Sequence, residues 1–198
     1  MGTNANAVFI GLADQSATTG ALARGTVIAS TSIPADIDAA LTAITGFSTS
    51  GYFSEDGVSL STTKNVTAIR EWNKNAVRHV LEDFDGTLSG TLIQMDEESA
   101  KQCFGEDNVN KIAATSTHGT QLKIAIGACL PEEQAWALRM KDGDRRMLVL
   151  IPNGQVTSGV DMTFNASSAV PIPITISCND DGSGNSIYIY TDDGVVSA

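Results

Sequence analysis

Four stretches in the second half of this chain place apolar residues at every second position. Leu122, Ile124 and Ile126 alternate with Gln121, Lys123 and Ala125. Trp136, Leu138 and Met140 alternate with Ala135, Ala137 and Arg139. Val156, Val160, Met162 and Phe164 alternate with Gln155, Thr157, Asp161 and Thr163, and Ile172, Ile174 and Ile176 with Pro171, Pro173 and Thr175. A period of two belongs to an extended strand with one face in a core and the other in water. Between them, Arg145–Ile151 is apolar on both faces, as a central strand is. Asp142-Gly143 and Asn153-Gly154 are hairpin signals. The two prolines put the last strand at an edge, or where the chain enters the domain. The pattern predicts a mainly β chain, an antiparallel β-sandwich or barrel with one or two short flanking helices.

The first half is less regular. Residues 1–23 are rich in Ala, Thr, Asn and Gly and nearly free of charge, so they read as an extended N-terminal arm with a strand at Val8–Leu12. The β-rich domain is expected to run from 24 to 198, opening on a strand at Thr26–Thr31. Pro34 then starts a helix whose Ile33, Ile37, Ala40, Leu41 and Ile44 share a face, and Gly46 closes it. Phe47–Phe53 and Val58–Ser61 flank a turn at Ser54-Glu55-Asp56-Gly57. Strands follow at Val66–Trp72, Val77–Glu82 and Thr87–Met95, with turns at Asn73–Asn75 and Asp83–Gly86. Asp96 is a natural N-cap, Glu97 and Glu98 suit a positive helix start, and Gly105 ends that helix after Ala100, Cys103 and Phe104.

Charge excludes some functions. Lys and Arg total 12 against 23 Asp and Glu, a net charge of −11. Gripping a phosphate backbone or an anionic membrane needs a basic face. No Lys or Arg follows Arg146, so the last quarter of the chain is purely acidic. No run approaches the roughly 20 apolar residues of a membrane-spanning helix. With no leader pattern at its start, the chain is expected to be made in a host cytoplasm. The three cysteines, 103, 129 and 178, form no CxxC pair, so zinc and thioredoxin-like chemistry are not expected. His79 and His118 stand without partners of catalytic spacing. Asp180 and Asp181 could hold a weak Ca²⁺, but the loop lacks the distal bidentate Glu, and a plain turn is favoured. No catalytic constellation emerges; no enzyme, cofactor or metal is expected.

The order of motifs carries the reading further. Phe47 followed by Gly51-Tyr52-Phe53-Ser54-Glu55-Asp56-Gly57-Val58, after a Pro-led helix, resembles a stretch of siphophage major tail proteins. Ile69-Arg70-Glu71-Trp72 then Val77-Arg78, and Thr91–Met95 running into an acidic helix that ends in Phe104-Gly105, resemble the next family signatures. Ile172-Pro173-Ile174-Thr175-Ile176 is similar to the family's closing strand. The resemblance spans roughly residues 30 to 190.

That resemblance implies a tail tube subunit in the virion: a homo-oligomer of hexameric rings, stacked into a conduit through which DNA passes without specific binding. Tape-measure and terminator proteins would be its other contacts. Ring proteins of related secretion or gene-transfer tubes, or another virion β-domain, are the alternatives. An acidic balance suits a conduit, because carboxylates repel phosphate. Lumen-facing candidates are Glu82, Asp83 and Asp85, at the end of one central strand, and Asp161, on the polar face of an alternating one. Ser54, Glu55, Asp56, Gly57 and Lys64 mark the loop expected to contact the neighbouring ring.

Overall fold

The computed structural model describes residues 8–14 and 20–195. Its strands are β1 (Leu22–Gly25), β2 (Ser48–Thr49), β3 (Phe53–Arg70), β4 (Ala76–Leu92), β5 (Val109–Ile112), β6 (Gln121–Ile124), β7 (Gln134–Asp142), β8 (Arg145–Val156), β9 (Ile172–Cys178) and β10 (Tyr188–Asp192). Two helices accompany them, α1 (Ile37–Ala43) and α2 (Glu97–Phe104). The main sheet runs β2-β1-β7-β8-β9-β4-β3, with β10 paired to β8, while β5 and β6 form a separate hairpin. Every pairing is antiparallel.

The sheet folds back on itself at β8. One flank of β8 pairs with β7; the other pairs with β10 over Arg146–Leu150 and with β9 over Gly154–Val156. Gly154 stands at the change of partner, where a Cβ would fall 2.8 Å from Trp136 and 2.9 Å from Ile176. The result is a sandwich rather than a closed barrel. Leu22, Trp136, Leu138, Val149 and Ile151 face Leu88, Leu92, Ile172, Ile174 and Ile176 across the core. Ala100, Cys103 and Phe104 of α2 belong to the same core. A second cluster lies on the outside of the β7–β8 half, where Ile37 and Ala40 of α1, with Ile44 just beyond it, pack on Ala137, Leu148 and Leu150. Leu148–Ile151 are thus buried on both faces, as their unbroken apolar run requires.

Both expected helices form where their caps stand. Asp36 accepts a hydrogen bond from the Ala39 N–H at 2.8 Å and starts α1. Asp96 and Ser99 make a capping box at the start of α2, each side chain accepting from the other's backbone N–H. The alternations at 121–124, 134–142 and 172–178 are strands, and β9 is buried at every second residue. β9 is not an edge strand, but Pro171 and Pro173 lie where only β4 flanks it, because β8 reaches no further than Ile176.

Elsewhere the structure departs from the expected elements. The alternation through Phe164 is not a strand: β8 stops at Val156, and 157–170 has no regular structure. The Ser158 hydroxyl accepts the Thr175 N–H there, a side-chain substitute for a ladder bond. Val160 and Met162 still pack against the core. Asn153-Gly154 lies inside β8 rather than at a turn. Thr26–Thr31 is irregular, passing into a 3₁₀ turn at Ser30–Ser32. Val8–Leu12 is not a strand; instead Ala13 bridges Met140, and the Leu12 carbonyl accepts from the Lys141 N–H at 2.9 Å. β1 starts at Leu22, and Ala21, Leu22 and Ala23 are buried, so the core begins inside the expected arm. Residues 1–7 and 15–19 of that arm lie outside the described residues.

The largest difference concerns β3 and β4. The expected turn at Asp83–Gly86 does not exist, and β4 runs unbroken from Ala76 to Leu92. The expected loop around Ser54–Lys64 is also strand. Ser54–Gly57 form a bulge: Phe53 pairs with Leu92 and Val58 with Gly90, leaving extra residues on β3, with Gly57 at φ 73°. Gly90 is forced, since a Cβ would stand 2.9 Å from the Phe53 ring.

Candidate functional site

β3 and β4 make one ribbon with two unlike halves. In the inner half Val58 and Leu60 pack on the core, opposite buried Leu88. β9 supports β4 only as far as Thr87, which pairs with Ser177. Beyond that point the ribbon continues through the Asn65–Asp83 pair to a turn at Glu71–Asn75, where the Lys74 N–H donates to the Glu71 carbonyl. Almost all of this outer half is exposed on both faces. Val66, Ile69, Val77 and Leu81 are each more than half exposed, and Trp72 is 100% exposed. A two-stranded ribbon alone in water is marginal, and apolar residues on both faces call for a covering surface.

Cross-strand register sorts the ribbon's faces, because paired residues point the same way. One face continues the core side: Leu60/Leu88, Lys64/Phe84, Val66/Leu81 and Ala68/His79. The Lys64 ammonium stands 6.0 Å from the Phe84 ring centre. The opposite face carries Ser59/Ser89, Ser61/Thr87, Thr63/Asp85 and Asn65/Asp83. It extends across β9 through Thr175 and Ser177 to Gln155 of β8. Among the described residues, this outer surface of the β9-β4-β3 half is hydroxyl-rich, has two carboxylates and no cation over the pairs Ser59/Ser89 to Asn65/Asp83, Lys64 being on the other face, and no helix lies on it in the way α1 covers the β7–β8 half.

The sequence-derived candidates therefore separate. Asp83 and Asp85 share the polar face, both exposed. Glu82 is the extra residue of a bulge, since Asn65 pairs with Asp83 and Val66 with Leu81. Asp161 belongs to a different place, exposed in the irregular 157–170 stretch rather than on the polar face of a strand. Ser54, Glu55, Asp56 and Gly57 lie together in the β3 bulge, while Lys64 sits farther along on the core-side face. The strands expected at Val66–Trp72 and Val77–Glu82 and the turn at Asn73–Asn75 form the outer ribbon and its tip, but sequence reasoning did not single the tip out as functional. Its signal was legible: Val66-Thr67-Ala68-Ile69-Arg70-Glu71-Trp72 mixes polar and apolar residues on both parities, as a strand resting on no core does.

The described residues hold no catalytic grouping and no cluster of three or more His, Cys, Asp or Glu placed for a metal. The Asp180 and Asp181 carboxylates are taken up by their own turn. Asp181 accepts from Ser183 N–H at 2.8 Å and from Tyr188 Oη at 2.6 Å, and these bonds hold its pKa down at about 2. Burial pushes the Cys103 thiol up to about 12 and Cys178 to about 11, so neither is a ready nucleophile.

Charge is organised at α2. Arg24, only 5% exposed, meets Glu106 at 2.6 Å and Glu98 at 3.5 Å and donates to Gln134 at 2.9 Å. Lys101 bridges Glu97 and Glu106, and Lys111 reaches Glu97 at 2.7 Å. The bond from Arg24 lowers the Glu106 pKa, and bonds from Lys111 and Lys101 lower that of Glu97. Burial raises the Asp96 pKa, but hydrogen bonds from Ser99 and Gln94 outweigh it and the net shift is down. Carboxylates with depressed folded pKa values contribute stability that is complete above their unfolded values and is lost as pH falls through the folded ones. The melting temperature of the free subunit is therefore expected to be level from neutral pH to about 5 and to fall steadily below about 4.5. A flat profile down to pH 3 would show that these pairs do not support the fold.

The fold defines a β-sandwich subunit with a bare polar face and a long uncovered ribbon. A family model described as phage tail tube protein matches residues 1–197. The chain belongs to the phage tail tube protein family, and with it to the structural proteins of the virion tail that assemble into the tail tube. No curated protein matches the chain.

Proposed function

We propose that this chain is the major tail tube subunit, forming rings of six that stack into the conduit for DNA ejection, with tape-measure and terminator proteins as neighbours. The outer face of β9-β4-β3 lines the lumen. The observation that carries this reading is the contrast between the two outsides of the sandwich. One is covered by α1 on Ala137, Leu148 and Leu150. The other is left bare, among the described residues, as a surface of Ser, Thr and Asp with no cation from the Ser59/Ser89 pair to the Asn65/Asp83 pair, which offers sliding phosphate no anchor there. Ring closure has a ready means, for β3 is an 18-residue edge strand with β4 on one side only. An unpaired edge of that length is a template for pairing with a neighbour. Asp83 and Asp85 face the channel, and the Ser54–Gly57 bulge and Lys64 contact adjoining subunits.

Electron microscopy of the purified protein, concentrated or seeded with tails, tests the proposal. Rings with sixfold symmetry and stacked tubes are expected. A protein that stays monomeric under both conditions would sink it.

A further inference from the structure

We infer that the tip of the β3–β4 ribbon seats in a groove between β1 and α2 on a second copy of this chain. The inference rests on the tube reading and names the contact that joins successive subunits. The tip is the electrostatic outlier of an acidic protein. In a chain of net charge −11, residues 66–80 carry Arg70, Lys74 and Arg78 against Glu71 alone. Arg70 is tied to the Lys74 carbonyl at 2.9 Å and shapes the turn. The side chains of Lys74 and Arg78 have no partner among the described residues, and Trp72, in the same turn as Lys74, is wholly exposed.

The groove has the opposite character. It encloses about 970 Å³ and is rimmed by Glu98, Glu106, Glu132 and Glu133. Its two cations are already engaged, Arg24 by Glu106 and Glu98, Lys101 by Glu97 and Glu106. Glu132 is exposed and has no partner among the described residues. The lining includes Val27, Ile28 and Phe47, a floor suited to an indole. Arg24, though buried, leaves its Nε–H without an acceptor. The groove thus offers an apolar floor and acidic walls. The tip offers an aromatic ring, free cations and the amide oxygen of Asn73.

Geometry makes the contact intermolecular. The groove's Glu133 accepts from Asn179, just past the end of β9, where Gly86 of β4 lies against Cys178. The tip lies beyond Ala76, at the far end of the part of β4 that only β3 flanks. At about 3.3 Å per residue, that stretch spans roughly 30 Å. A paired ribbon of this length, running outward, does not bring its own tip back to the groove. Tip and groove are unlike surfaces, so their pairing between copies is head-to-tail.

Disulfide trapping tests it. In a Cys129→Ser background, because Cys129 is exposed, one preparation carries Asn73→Cys and the other Val27→Cys. Both positions are at the surface. The two are mixed, oxidised mildly and mapped by mass spectrometry, with electron microscopy of the same samples. The 73–27 disulfide is expected to exceed the 73–73 and 27–27 species. Lys74→Glu with Arg78→Glu should lower its yield about tenfold, and Glu132→Lys, which breaks no pair of the fold, should restore it in part. Tubes that form without the 73–27 bond overturn this contact and leave the tube reading intact. A specific 73–27 bond without tubes supports the contact and counts against the tube. Absence of both overturns both. Loss of yield without rescue by the swapped charges assigns the groove to another occupant.

Discussion

Tubes built from subunits carrying Asp83→Lys and Asp85→Lys are expected to hold DNA that the parent tube lets pass. Both side chains are exposed and stand side by side in register on the polar face, opposite Asn65 and Thr63. Neither has a cation within ion-pair reach among the described residues, so replacement leaves no buried charge unpaired and the fold should be unaffected. Each subunit would exchange two carboxylates for two ammonium groups. Every phosphate neutralised releases counterions and steepens the salt dependence of DNA retention by a slope of about 0.9. Release should slow by at least about tenfold at low salt and recover as salt is raised. The measurement is DNA retained by tubes, or ejection rate, across a salt series. Variant tubes that pass DNA as the parent does at low salt would show that this face is not the channel wall. Asp161→Lys is the informative comparison, because it probes the 157–170 stretch rather than the sheet face.

The two tryptophans are expected to give opposite results. Trp136 is 1% exposed at the centre of the sandwich, and its Nε1–H donates to the Gly154 carbonyl at 3.2 Å. Trp136→Ala removes the largest buried side chain of the core and leaves that carbonyl unmet, at a cost of about 3–5 kcal/mol. Against a domain stability of about 5–15 kcal/mol, that is enough to deplete the folded subunit and every assembly made from it. Trp72 is fully exposed, so Trp72→Ala should change the stability of the free subunit by no more than about 0.5 kcal/mol and still abolish or shorten tubes. Urea unfolding of the dilute subunit, beside microscopy of the concentrated one, separates the effects. An intact urea midpoint for Trp136→Ala, or normal tubes from Trp72→Ala, would contradict this division.

Where the core dictates a residue, the sequence could be read. β7 and β9 alternate because each rests on the core, and Leu148–Ile151 are apolar without a break because α1 covers one face of β8 and the sandwich core the other. Caps were equally plain at Asp36 and Asp96, where a local hydrogen bond decides the helix start. The ribbon was legible in part. Its outer half was expected as two strands about a turn at Asn73–Asn75, and these form, but its continuity was misread, because Asp83–Gly86 imitates a turn while lying flat in β4. The stretch after Val156 alternates correctly yet is no strand, since Val160 and Met162 reach the core from an irregular backbone. Of the acidic candidates, Asp83 and Asp85 fall on one surface because both lie on β4, and Asp161 does not because sequence alone could not tell that β8 ends first. Which outside of the sandwich stays bare depends on where α1 lands, a tertiary fact with no local signature.

The sharing of β8 among three partners bears on when the subunit can come into being. Its first half is completed by β10, which ends at Asp192, and its second half by β9. β1, near the other end of the chain, waits for β7 more than a hundred residues later. No early portion can therefore close on its own during synthesis, and folding is dominated by distant pairings, which are slow to form. An incomplete chain has neither a finished sandwich nor a rigid base for the ribbon. Growth is then limited to molecules that already hold β9 and β10, so a product truncated before Asp192 is not expected to enter the tube.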